Sequence, residues 1–246
     1  MKDNFSTQSD KYAKYRPSYP GSLFKYLLTL VPDNTHAWDC GTGNGQVAEQ
    51  LAVYFDRVSA TDISQQQIDN AVAMPNIFYS VRAAEKTEFS ENTFALITVA
   101  KAIHWFNFDA FYKEARRTLR NEGILAVIGY GLLSISPDID DIITEFYQNI
   151  IGPYWDKERK YIDENYQTIP FPFQEIQPPS FAINFEWTLD HLIGYLETWS
   201  AVKHYQKKNG QNPVAIIYPG LSKAWAGAET RTGSFPILLR IAKILK

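Results

Sequence analysis

Three glycines at every second position, Gly41, Gly43 and Gly45, follow the run Ala37-Trp38-Asp39-Cys40. Glycines at that spacing let the backbone take positive φ and approach a ligand with no Cβ in the way. A helix starting near Gln46 would aim its free N–H groups at the same spot, which suits acceptor atoms. Asp39 stands two residues before the first glycine. Asp62 follows Gly41 by 21 residues, near the separation at which an acid meets a ribose edge, and its two oxygens can accept from two hydroxyls. Ile63, next to it, is placed to lie against a flat base. Asp62 can also cap a helix over 64–72, and the two roles are compatible. His104 is the histidine nearest a strand end and the candidate general base. Beside Trp105 and Phe106 it can equally be a structural hydrogen-bonding residue. The faces of Tyr15 and Trp105 can shield a cation without competing as nucleophiles.

The elements that must carry these residues alternate. Helical spacing over Gly21–Val31 precedes a strand at Thr35–Cys40, the glycine turn and a helix to Tyr54. Short strands follow at Arg57–Thr61 and Asn76–Val81. Phe94–Ala100 reads as a strand buried on both faces. Phe108 to Leu119 is an amphipathic helix whose Lys113, Arg116, Arg117 and Arg120 face water, and Asn121-Glu122-Gly123 turns the chain into a fifth strand, Ile124–Gly129. Such alternation predicts an α/β fold with a doubly wound, Rossmann-like, mostly parallel sheet. Ligands of such sheets sit beyond the carboxyl ends of the strands. Residues 40–45, Asp62, Ala84–Glu85 and 100–106 all fall there. After Tyr130 the rhythm changes: a helix over 139–151, a strand over 181–187, a helix capped by Asp190, another over 214–225 and a closing strand over 236–244. The chain divides into one domain, 1–246. Within it, 1–34 lies over the site, 35–130 is the cofactor-binding core, 131–180 a helical cap and 181–246 completes the sheet.

A chain of 246 residues with 45% hydrophobic and 21% charged residues buries a full core. Its net charge of −3 and lack of a long basic run argue against nucleic acid as a partner. No apolar run approaches the roughly 20 residues a bilayer demands, and no signal-peptide apolar region opens the chain. The one cysteine, Cys40, points to a reducing cytoplasm. No Cys/His set has metal-ligand spacing. Fifteen Tyr, fifteen Phe and six Trp are many for this length; aromatics in that number are mostly core, and the surplus is compatible with a ring-lined pocket.

Two cofactor classes use a glycine turn of this kind. Dinucleotide folds want G-x-G-x-x-G/A, and here Gln46 occupies the third small position. The form Asp39-x-Gly-x-Gly-x-Gly45 instead resembles motif I of the class I S-adenosylmethionine-dependent methyltransferases. With Tyr12-x-x-Tyr15-Arg-Pro-x-Tyr-Pro20, Ala84-Glu85, Phe94 to Ala100 and Ala102-Ile-His-Trp-Phe106, the chain resembles the type 11 group of that class. Thr198-Trp-Ser-Ala-Val202 and Phe235-Pro-Ile-Leu-Leu-Arg240 are similar to its trans-aconitate and cantharidin methyltransferase-like branch. The resemblance implies seven strands with the last antiparallel. It implies S-adenosylmethionine as cofactor, with Gly41, Gly43 and Gly45 near its methionine part and Asp39 holding the turn or meeting the amino group. Asp62 and Ile63 would meet the nucleoside, Ala84 and Glu85 would flank adenine, and Ala100 and Trp105 would close the strand-four end. Tyr12, Tyr15 and Arg16 would fold over the cofactor. Lys101 departs from the neutral polar residue such proteins carry there, and hints at an acidic substrate. The expected activity is methyl transfer to a small molecule, at an oxygen of a carboxylic acid, by a monomer or weak homodimer. The alternatives are a nicotinamide-dependent reductase and a cofactor-binding protein without catalysis.

Overall fold

A computed structural model describes residues 14–246; Tyr12 lies outside the described residues. The elements are α1 (Gly21–Leu28), β1 (His36–Cys40), α2 (Gln46–Ala52), β2 (Arg57–Asp62), α3 (Gln65–Asp69), β3 (Ile77–Val81), β4 (Phe94–Ala100), α4 (Phe108–Thr118) and β5 (Leu119–Tyr130). They continue with α5 (Pro137–Glu145), α6 (Lys160–Asp163), β6 (Glu175–Ile176), β7 (Ala182–Trp187), α7 (Leu189–Glu197), α8 (Ser200–Asn209), α9 (Val214–Trp225) and β8 (Arg231–Lys243). Strand order is β3-β2-β1-β4-β5-β8-β6, with β7 also pairing with β8. Strands β1 to β5 pair in parallel, and β8 runs antiparallel to β5, β6 and β7.

Alternation along the central strands separates two cores. Ala37, Leu96 and Ala126 face one side with Leu23 and Leu27 of α1 and Val47 and Leu51 of α2. Trp38, Ile97 and Val127 face the other with Phe111 and Ala115 of α4. Successive side chains of a strand point to opposite faces, so a strand covered on both sides must be apolar throughout. β4 follows that rule, buried from Phe94 to Val99, with Thr98 its one polar side chain and that one hydrogen-bonded to Asp39. The helices after β5 extend the first core: Ile139, Ile143, Leu192, Leu196, Val214 and Leu221 are all part of it. The helical layer therefore continues well past residue 180.

The last strand is antiparallel, as expected, but the sheet has eight strands where seven were expected. The extra one is β6, two residues long and too short to show a period; it is tied to β8 by Arg240, which binds Glu175 and donates to the carbonyls of Tyr166 (2.9 Å) and Ile169 (2.7 Å). β5 begins at Leu119 rather than Ile124, because Glu122 takes φ 63° and the strand bends without ending. α3 is shorter than 64–72 and is capped by Ser64, whose Oγ accepts from Gln67 N–H; Asp62 is not its cap. Thr188, not Asp190, caps α7. The apolar spacing from Leu192 to Tyr205 belongs to two helices, α7 and α8, separated at Thr198–Trp199.

Candidate functional site

A cleft opens beyond the carboxyl ends of β1, β2, β4 and β5, with about 1040 Å³ of empty space, part of it continuous with solvent. Of the residues singled out from the sequence, Arg16, Gly41, Gly43, Asp62, Ile63, Ala84, Ala100 and Trp105 line it. Tyr15, Asp39, Gly45, Glu85 and His104 do not.

The turn after β1 makes the floor. Gly41 N–H and Thr42 N–H both donate to the Thr61 carbonyl (2.8 and 2.9 Å), locking the turn to β2. Gly43 has φ 57° and faces open space: a Cβ there would meet only Gln67 Oε1, at 4.0 Å. Glycine is required at that position by conformation and leaves a cradle that a side chain would fill. Gly45 has a different reason. It is buried, and a Cβ would collide with the Tyr79 hydroxyl, which donates to the Val72 carbonyl (2.7 Å).

Asp39 is buried behind the turn. It accepts from Thr42 Oγ1 (2.5 Å) and from Thr98 Oγ1 (2.7 Å), its neighbour on β4. Burial pushes its pKa up to about 6 despite those bonds. Of its two expected roles, the contacts are those of holding the turn. Asp62 does face the cleft. Its Oδ2 accepts from Gly43 N–H and its Oδ1 from Ser64 N–H, each at 2.9 Å. Both oxygens are thereby oriented and each keeps acceptor capacity for a further donor.

Glu85 turns away from the cleft and accepts from Asn107 N–H (3.0 Å) at the start of α4. Tyr15 packs edge-on to His191 at 5.2 Å and covers Gly194 of α7. Arg16 reaches inward: it donates to the Tyr130 hydroxyl (3.0 Å) and the Thr198 carbonyl (3.3 Å), with its guanidinium 5.3 Å from the Tyr195 ring centre. The sequence reading passed over Tyr19, Arg82 and Tyr130, which also line the cleft. Tyr130 ends β5, so the strand-end rule could have found it. Tyr19 lies in the quoted N-terminal motif.

Lys101 follows β4 with φ 55°. Its ammonium donates to the Tyr130 carbonyl (3.2 Å) and lies 4.1 Å from the centre of that ring. Among the described residues no carboxylate lies within 4.0 Å of it. Burial first, then the charges of Arg159 and Arg16, hold its pKa well below the usual lysine value. His104 is buried on a short helical turn, Ile103–Trp105, tilted against Trp105 and stacked over Tyr166. Burial, with Lys101 and Arg159 adding to it, holds its pKa well below the usual imidazole value. A second cavity lies behind this pair, with about 500 Å³ of empty space; Arg16, Lys101 and Trp105 line both cavities.

Among the described residues no His, Cys, Asp and Glu group could hold a metal ion, and no helix is long and apolar enough to cross a membrane. The family model for a methyltransferase domain matches residues 38–127. A protein of Dictyostelium discoideum assigned as a methyltransferase is 32% identical, covering 98% of this chain and 95% of its own. A Saccharomyces cerevisiae protein assigned as an S-adenosylmethionine-dependent methyltransferase is 25% identical over 68% of this chain and 59% of its own. A solved structure from Anaeromyxobacter dehalogenans, assigned as a type II methyltransferase, superposes with a TM-score of 0.88 at 37% identity, covering 94% of this chain and 99% of that one. The chain belongs to the class I S-adenosylmethionine-dependent methyltransferases. That membership replaces the reductase alternative, in line with Gln46 at the position where a dinucleotide turn needs a small residue.

Proposed function

We propose that the cleft binds S-adenosylmethionine and that the methyl group passes to an oxygen of a carboxylic acid on a small molecule. The open cradle at Gly43 fits a ligand's approach to bare backbone. In this reading Gly41 and Gly43 face the methionine part, Asp62 accepts from the ribose hydroxyls, Ile63 and Ala84 hold the adenine, and Arg16, Ala100 and Trp105 enclose the reacting end. Gly45, Asp39 and Glu85 serve by holding those parts in place. Within the family, the motifs at 12–20, 198–202 and 235–240 favour the trans-aconitate and cantharidin methyltransferase-like branch. Residues 1–34 lie over the cofactor, 35–130 bind it, 131–180 cap it and 181–246 complete the sheet. The protein works in the cytoplasm as a monomer or weak homodimer, with neither nucleic acid nor membrane as partner.

The observation that carries the acceptor assignment is Lys101. It replaces a neutral polar residue with an ammonium that lines both cavities and has no carboxylate partner within 4.0 Å among the described residues. A bound carboxylate would supply that partner and raise the lysine pKa again. When bound, S-adenosylmethionine supplies an electrophilic methyl: a C–O bond forms, the C–S bond breaks, the electron pair stays on sulfur and no proton moves. A carboxylate is ionised at neutral pH and needs no base. His104, buried and with its pKa held low, is then a wall residue rather than a base. What remains for the protein is alignment, which can supply about 7–11 kcal/mol in favourable systems.

Incubating the protein with S-adenosylmethionine and a panel of small organic acids should release S-adenosylhomocysteine together with base-labile methyl esters. Turnover confined to phenols, alcohols or amines would overturn the carboxylate assignment.

A further inference from the structure

The second cavity is unlike the first in its lining. Three indoles face it, those of Trp105, Trp155 and Trp199, together with the imidazole of His104 and the side chain of Ile162. The rings are already arranged against one another: Trp155 and Trp199 stand 5.6 Å apart at 48°, and His104 and Trp105 stand 4.9 Å apart at 47°. Few groups in it are ready for an ion. Arg159 lies 4.5 Å over Trp155 and pairs with Asp163 at 3.3 Å, and it also donates to the Tyr147 hydroxyl at 2.6 Å. Arg16 is engaged with the Tyr130 hydroxyl and the Thr198 carbonyl. Asp156 brings a negative charge to the same wall. That leaves Lys101, at the mouth shared with the cleft, as the lining cation whose contacts among the described residues are to one carbonyl and one ring. One further polar atom is buried beside it without a hydrogen-bond partner among the described residues, His104 Nδ1.

A chamber with one such cation at its mouth and ring faces behind it favours one carboxylate on a flat body. A second or third carboxylate would enter among indoles and beside Asp156, and would have to draw Arg159 from Asp163 or Arg16 from Tyr130 and Thr198. Indole faces hold an aromatic ring in offset or edge-on contact more strongly than a saturated ring of equal area. Resting on the reading of Lys101 as the carboxylate's counter-ion, we infer that this chamber binds the body of the methyl acceptor and that the acceptor is an aromatic monocarboxylate. Its carboxylate sits at Lys101, at the junction with the cleft, and its ring lies among Trp105, Trp155 and Trp199.

The test is direct binding, by calorimetry, to the full chain saturated with S-adenosylhomocysteine. Benzoate and trans-cinnamate are compared with cyclohexanecarboxylate and with succinate and citrate. The aromatic acids should bind about 3–10-fold more tightly than cyclohexanecarboxylate, the range that ring–ring contacts supply. Trp155→Leu should abolish that preference while S-adenosylhomocysteine affinity is kept, and Trp155→Phe, which retains a ring, should restore most of it. Lys101→Met should weaken all the acids. Equal affinity for flat and saturated rings, a preference that survives Trp155→Leu, or tightest binding of succinate or citrate would each overturn the aromatic assignment while the carboxylate reading stands. No acid bound by the unmodified protein, or acid binding unchanged in Lys101→Met, would overturn both.

Discussion

The two cavities share three residues yet are made in different ways. The floor of the cleft is formed by main chain and small residues within one stretch, from the turn at 41–44 through Asp62 and Ala84 to 100–102, with Arg16, Tyr19, Arg82, Trp105 and Tyr130 around it. The chamber behind it is formed by long side chains from four separate segments: Arg16, residues 101–105, residues 155–162 and Trp199–Ser200. A shape made of turns is set by hydrogen bonds such as those from Gly41 and Thr42 to the Thr61 carbonyl, and it survives changes at the surface. A shape made of packed side chains can be altered one rotamer at a time. Under the proposed function, the common part of the reaction would rest on the backbone, and the choice of acceptor would be left to side chains that can vary.

If that contrast is right, damage to the cleft should abolish binding of any nucleoside ligand, whatever the acceptor. Gly43→Val places a branched side chain in the cradle and in a left-handed conformation that costs about 1–2 kcal/mol. The protein should still fold, with a lowered melting temperature. Its affinity for S-adenosylhomocysteine, measured by calorimetry, should fall at least about 100-fold, or about 2.8 kcal/mol. Unchanged affinity would remove Gly43 from the site. Asp62→Ala comes next. Losing hydrogen bonds to a charged acceptor should cost about 1.5–3 kcal/mol of binding, or about 10–100-fold. Because Ser64 is the cap of α3, the loss should show in affinity more than in melting temperature; the reverse pattern would make Asp62 a structural residue only.

The smallest effect serves as a control remote from both cavities. His36 is half-buried, hydrogen-bonded to Ser59 Oγ (3.0 Å) and packed on Phe94, and burial with the charges of Arg57 and Arg120 pulls its pKa to about 4. Its folded pKa lies below the unfolded value of about 6.5, so the unfolded chain binds the extra proton between those limits. This residue's contribution is thus lost as pH falls from about 6.5 to about 4. Asp39 acts oppositely: with its pKa raised to about 6, the folded chain takes up a proton first and gains stability on acidification. His36→Gln should therefore make the melting temperature fall less between pH 6.5 and 4 than in the unmodified protein. An unaltered slope would refute the assignment to His36.

How much of this could be read from residues alone differs between elements. The glycine turn, the acid ending β2 and the buried run of β4 depend on contacts only a few residues long, so spacing and residue type were enough to place them. Gly45 was read as a ligand contact because one missing Cβ looks like another; only its distance from Tyr79, 34 residues on, separates clearance for a ring from clearance for a ligand. The partner of the Glu85 carboxylate, Asn107, comes from a different loop and likewise leaves no local pattern. The caps at Ser64 and Thr188 were each within two residues of the acids expected to do that work, and the choice between neighbours depends on which backbone enters the helix first.

Residue types and their periods determined the alternating sheet, its glycine-floored cleft and the cation after β4. They carried no signal for Trp155, Arg159 or Trp199 as neighbours of Lys101, because those side chains meet only after the helices beyond β5 pack against the sheet. Local hydrogen bonding and burial are encoded every few residues, so they leave a pattern in the chain. The walls of the second chamber come from residues as much as 184 positions apart, and no spacing rule reaches that far: Arg16 and Ser200 line one cavity because of the fold alone.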